Sequence, residues 1–252
     1  MNPNKVIQLA MKTGSYLLES GAETYRVEDT IVRICNNYGM EDTNCFCTQT
    51  GIMLSSIYDG TTYSQVARIS SRSTNLDKIS RLNQLSRDAK ILDLDAFEKQ
   101  LKEIKTTKIY GLWTNVLFAG ICTFGFALLY QGTLIDAFCA FVIGAVVRFL
   151  TMYFESKELN SFFNISVSAI FLTFSSLILE QANVLIDRNI VIASTIMLLV
   201  PGLAITNAIR DSIAGDLVSG TARGVEALLI AIAVAMGSGI AMTIWISLGG
   251  MI

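Results

Sequence analysis

The stretch PGLAITNAIRDSIAGDLVSGTARGVEALL, Pro201 to Leu229, lies between two runs of apolar residues, yet it carries Arg210, Asp211, Asp216, Arg223 and Glu226. Charges of both signs in so hydrophobic a part of a chain are costly unless they pair, meet water or line a pathway. Outward from this stretch, Asn189 to Ile209 and Glu226 to Leu248 are each long enough to cross a bilayer, which takes roughly 20 apolar residues. Three earlier runs meet the same length: Leu112 to Tyr130, Leu134 to Phe154 and Ser161 to Leu179. No ten-residue alternating segments suggest a barrel. The fold class expected is an α-helical integral membrane protein with five transmembrane helices, preceded by a small α+β cytoplasmic domain.

Composition supports this division. Hydrophobic residues make up 52% of the chain and charged ones 16%, and the mean hydropathy is +0.51. Residues 1 to 108 hold 14 of the 19 Lys and Arg and 13 of the 21 Asp and Glu, so 1–108 and 109–252 are read as domains in two different solvents. The net charge of -2 and the lack of a basic run exclude a nucleic-acid binder. The first residues, MNPNKVIQLAMKTGSYLLESG, lack the apolar core of a secretory signal. Lys102, Lys105 and Lys108 precede the first span, Lys157 follows the second, and Arg210 and Arg223 follow the fourth, whereas the opposite loops show only Arg188. The positive-inside rule then puts the N-terminus in the cytoplasm and the C-terminus outside.

Histidine is absent, which removes Ser-His and Cys-His nucleophiles and HExxH metal sites together. The five cysteines form no CxxC pair and suit reduced thiols. No enzyme, cofactor or metal is expected. In the first half, Val6, Leu9, Ala10 and Leu17 and then Val27, Ile31, Ile34 and Cys35 keep helical spacing. From Thr43 the period shortens, and Asp59-Gly60 separates two β-prone runs as a hairpin turn does, so two or three strands are expected. Helical spacing returns at Ile79 and holds to Ile104.

Two stretches invite a functional reading. LLESGAETYRVEDTI clusters Gly21, Glu23, Thr24, Arg26 and Glu28 at a helix boundary. This is either a capped helix-turn-helix corner or a gate or docking surface. In the opening stretch, Pro201-Gly202 interrupts the fourth span, the kind of break at which freed backbone groups face a cavity. Beyond it Asn207 and Asp211 share a helix face, and Asp216, Ser219, Gly220 and Arg223 bring a carboxylate, a hydroxyl, open amides and a guanidinium together. The alternative is a solvated loop. Arg148, six residues before the predicted end of the second span, either snorkels or meets a carboxylate. On the fifth span Ala231, Ala235 and Gly239 and, beside them, Ala233, Gly237 and Ala241 are stripes that let helices approach closely.

SGAETYRVEDT near the start, LLVPGLAITNAIRDSIAGDLVSGTARGVEALL near the end and MTIW at Met242 to Trp245 together resemble the threonine/serine exporter family, over essentially the whole chain. The resemblance implies a cytoplasmic domain, a membrane domain and export of small amino or organic acids. One-chain members continue into a second, smaller membrane domain, whereas this chain stops at Ile252. The resemblance therefore implies the large subunit of the split form, in the bacterial plasma membrane as an oligomer with a separate small membrane subunit; split members include a proposed succinate exporter. A secondary exporter of threonine or serine is the first expectation, with the proton gradient as drive because no GxxxxGK[ST] motif occurs. A dicarboxylate exporter subunit is the close alternative, and a membrane-anchored metabolite-sensing regulator the alternative of another class.

Overall fold

Asn2 begins the first helix by accepting the Lys5 N–H on its side chain, with Pro3 at the first helical position, where a missing N–H costs nothing. The computed structural model describes residues 2–106, 110–157, 159–184 and 187–250. Lys108, counted above among the cations before the first span, lies outside them. The chain divides into two compact units, Met1–Lys108 with Leu203–Gly224, and Ile109–Gly202 with Val225–Ile252.

The first unit holds α1 (Pro3–Glu19), α2 (Thr24–Asn37), β1 (Glu41–Thr48), β2 (Gly51–Tyr58), β3 (Thr61–Arg68), α3 (Leu76–Asp88) and α4 (Leu94–Thr106). The strands form an antiparallel sheet in sequence order. The β2–β3 turn is Asp59-Gly60, both with positive φ, as a two-residue hairpin of this composition requires. Alternation sends Cys47, Ile52 and Leu54 into the core with Val6, Leu17, Val27, Ile31, Leu82 and Phe97. Each large buried side chain contributes about 1.5–3 kcal/mol. Gly14 sits where any Cβ would overlap Ile31, so its lack of a side chain sets how closely α1 and α2 pack. The helices and three strands agree with the sequence pattern.

The second unit contains α5 (Leu112–Leu129), α6 (Leu134–Ser156), α7 (Ser161–Gln181), α8 (Arg188–Ile196) and most of α10 (Leu217–Ser247). Thr133 and Asp136 close a reciprocal capping box at the start of α6, and the buried Asp136 also accepts the Asp187 N–H. Gly120 and Gly144 bring α5 and α6 together, since a Cβ at either would overlap Phe141 or Thr123.

Four helices among the described residues, α5, α6, α7 and α10, are long and apolar enough to cross a membrane, against the five read from the sequence. The difference lies at 189–209. The helix there stops at Ile196, Leu198 and Leu199 form tighter bonds to Thr195 and Ile196, and a second helix, α9 (Gly202–Ile213), begins beyond Pro201. Pro201 lacks the donor a continuous helix needs, and the nine residues of α8 cover about 14 Å of a hydrocarbon layer about 30 Å thick. Of the two small-residue stripes on α10, Ala233, Gly237 and Ala241 are buried, with Gly237 closely approaching Ser166 and Ala169 of α7, while Ala231, Ala235 and Gly239 stay exposed.

Candidate functional site

The corner between α1 and α2 is built by Gly21, whose φ of +87° turns the chain through the left-handed region open to glycine. That turn leaves the carbonyls of Gly21 and Ala22 and the first N–H groups of α2 without helical partners. Glu23, at the N-cap of α2, makes no side-chain cap. The missing partners come from the far end of the sequence. Asn207 donates Nδ2–H to the Gly21 carbonyl at 3.0 Å, and Arg223 donates Nη2–H to the Ala22 carbonyl at 2.6 Å. The Thr24 N–H donates to Asp211 Oδ1 at 3.2 Å, so a carboxylate 187 residues away serves as the cap of α2. The Thr24 hydroxyl donates to Asp216 Oδ2 at 2.8 Å, and Arg210 Nη1 pairs with Glu23 at 2.8 Å. Arg26, itself exposed, stands 3.6 Å from the other oxygen of Glu23.

Inside this joint Arg223 Nε lies 3.1 Å from Asp211 Oδ2, with Asp211 0% and Arg223 5% exposed. Asp216 caps α10 by accepting the Ser219 N–H at 3.1 Å. Gly220 fits against Ala208 and Ser212, and a Cβ there would overlap both, which holds the start of α10 tight against α9. Glu28 accepts the Cys47 N–H at 2.7 Å. Gly21, Glu23, Thr24, Arg26 and Glu28, read from one stretch, and Asn207, Arg210, Asp211, Asp216, Ser219, Gly220 and Arg223, read from the other, thus share the first unit. Arg223 is the cation in contact with Asp211.

Burial sets the electrostatics. It pushes the Asp211 carboxyl up, and the opposing pull of Arg223 and the Thr24 N–H offsets only part of it. Burial likewise raises Glu28, against the Cys47 N–H and with help from Asp216, Asp29 and Asp211. For Asp216, burial is outweighed by its bonds to Ser219 and Thr24 and by Arg223, which together hold it below the ordinary value. Glu23 is held down in the same way against burial, by its own backbone N–H, Arg210 and Arg26.

These directions give a signed expectation for stability against pH. Asp211 and Glu28 have raised folded-state values, so they take up protons more readily folded than unfolded, and stability rises as pH falls from neutral through those values. Glu23 and Asp216 are depressed, so their contribution is complete above the ordinary 4.5 and 3.8 and is lost as pH falls through their folded values. The melting temperature of the purified chain in nanodiscs should therefore pass through a maximum on the acid side, and Asp211→Asn should flatten the rise toward it.

The remaining sequence-selected residues lie in the second unit: Arg148, Pro201, Gly202 and Glu226. Arg148 lines a cavity of about 720 Å³ formed by the start of α5, the end of α6, the start of α7 and the turn after α8. Thr114, Asn115, Glu155, Ser161 and Asn164 line it too, and sequence reading missed them. Each is one polar residue near the end of an apolar run, and only the antiparallel packing of the helices brings them to one end of the unit. The Asn164 Nδ2–H donates to the Thr151 carbonyl, tying α7 to α6 beside the cavity.

The family model described as "Putative threonine/serine exporter" matches residues 8–245. A protein of Klebsiella aerogenes named "Probable succinate transporter subunit YjjP" is 28% identical over 95% of this chain and 94% of its own length. Its namesake in Escherichia coli K12 is 26% identical over the same shares. The "Threonine/serine exporter" of Corynebacterium glutamicum is 25% identical over 93% of this chain but only 50% of its own length. No solved structure matches the chain.

Proposed function

Because the chain belongs to the threonine/serine exporter family, we propose that it is one subunit of a secondary exporter, moving threonine or serine out of a bacterial cell beside a separate small membrane subunit. One observation carries the reading: the two stretches that mark the chain, 20–30 and 201–229, meet in a buried polar joint. A solvated loop has no use for a guanidinium and a carboxylate both withdrawn from water, since such a pair seldom adds net stability over apolar residues of the same size. A contact of this kind suits an element with two arrangements, closed when Arg223 and Asp211 cap the α1–α2 corner and open when they release it.

In this reading the first unit faces the cytoplasm, as the Lys and Arg distribution suggests. The four long apolar helices cross the membrane, and because Leu203–Gly224 belongs to the first unit, α8 and the turn to Pro201 carry the chain back between α7 and α10. The carboxyl of Asp211, raised by burial, is the group through which a proton gradient acts on the joint. A second reading, export of a dicarboxylate, is favoured by the names of two relatives that this chain matches along nearly their whole length. The same relatives are named as subunits, which supports a separate partner.

Liposomes loaded with labelled threonine and succinate, bearing this chain alone, its companion alone, or both, test the proposal under an imposed proton gradient. Both together should release threonine at least tenfold faster than either alone. Full release by this chain alone would overturn the two-subunit reading, release of succinate only would overturn the amino-acid reading, and release of neither would overturn export.

A further inference from the structure

The cavity in the second unit is separate in sequence and in chemistry from the joint. Its lining is mostly apolar, as small-molecule sites are, and its volume of about 720 Å³ falls within the range such sites occupy. Among the described lining residues Arg148 is the one cation and Glu155 the one acid. They lie seven residues apart on α6, two turns along one face, separated by about 10.5 Å of helix rise. Arg148 is half-buried within a helix long and apolar enough to cross a membrane, yet its guanidinium makes no hydrogen bond or ion pair with any described residue. A half-buried cation in an apolar helix is costly unless it snorkels to the interface or an anion joins it.

The polar neighbours of Arg148 are similarly available. The Asn115 Nδ2 group is committed to the carbonyls of Tyr110 and Gly111, which fixes the amide and presents its oxygen as an acceptor. The hydroxyls of Thr114 and Ser161 make no hydrogen bond to any described residue. The wall therefore offers one fork of N–H donors suited to a carboxylate, small hydroxyl and amide groups suited to a short polar side chain, and one carboxylate to attract an ammonium group.

We propose that this cavity is a binding site for a small zwitterion carrying a single carboxylate, with Arg148 gripping the carboxylate and Glu155 favouring the amine. The inference rests on the export reading and adds to it the place of substrate capture and a rule of charge. A dicarboxylate would engage Arg148 with one end and bring its other end toward Glu155, where no described lining residue supplies a second cation. Like charges without a counter-ion disfavour binding, so the site discriminates by repulsion as well as attraction. The cavity lies at the end of the unit formed by the start of α5 and the end of α6, which the cation distribution assigns to the cytoplasmic side, where an exporter takes up its cargo.

The test is concentration-dependent export from liposomes containing the full chain and its companion, with each rate divided by the amount of inserted protein. Arg148→Gln should raise the KM for threonine at least tenfold, and Arg148→Lys, which keeps the charge without the fork, should raise it less. Glu155→Gln should leave the fold of α6 intact and raise succinate export relative to threonine export by about tenfold. If the parent exports threonine and Arg148→Gln does so with an unchanged KM, the cavity is not the site, although the export reading stands. If Glu155→Gln leaves the succinate-to-threonine ratio unchanged, the rule of charge is wrong; this arm decides even where Arg148→Gln fails to insert. If the parent with its companion exports neither compound, the export reading falls and takes this site with it.

Discussion

Arg223→Met should destabilise the first unit by about 3–5 kcal/mol, the usual cost of leaving one member of a buried ion pair without its partner. The residue removed is 5% exposed, pairs with Asp211 at 3.1 Å and donates to the Ala22 carbonyl at 2.6 Å. Methionine fills a similar volume but leaves the Asp211 carboxylate, 0% exposed, without its counter-charge and held by Thr24. Combining the change with Asp211→Leu removes the stranded charge, and the double variant should recover much of the loss even though it lacks more hydrogen bonds. Thermal unfolding of the four proteins in nanodiscs gives the coupling directly. Additive losses would mean that the two side chains do not depend on one another.

How far the sequence could be read follows from which interactions were local. The strand alternation around Cys47 and Ile52, the Asp59-Gly60 turn and the helical spacing from Val6 to Leu17 each depend on residues a few positions apart, and all are found in the structure. The run from Asn189 to Ile209 reads as one helix because hydropathy counts apolar residues and takes no account of a missing backbone donor; Pro201, legible as an interruption, in fact separates two helices. The joint was half legible. Its charged residues stood out because they interrupt apolar sequence, yet two acceptors that fix its geometry are the main-chain carbonyls of Gly21 and Ala22, which side-chain reading does not register. The cavity was legible only through Arg148. Its other polar residues look ordinary one at a time and converge only when three helix ends are packed side by side.

The larger functional effect is expected at Asp211. Replacing the carboxylate with the amide of Asn keeps its shape and an oxygen for the Thr24 N–H, but removes the charge that Arg223 Nε contacts and the group on which a proton gradient could act. Asp187 offers the control. It caps α8 by accepting the N–H groups of Asn189 and Ile190, a task Asn performs about as well, so Asp187→Asn should change little. The measurement is the initial rate of threonine efflux from cells preloaded with a threonine-containing dipeptide, divided by the amount of each variant in the membrane. Asp211→Asn should fall at least tenfold below the parent per inserted molecule, equivalent to about 1.4 kcal/mol of barrier, while Asp187→Asn stays at the parental rate. Parental efflux per molecule from Asp211→Asn would contradict the account, leaving the joint a structural contact with no part in transport.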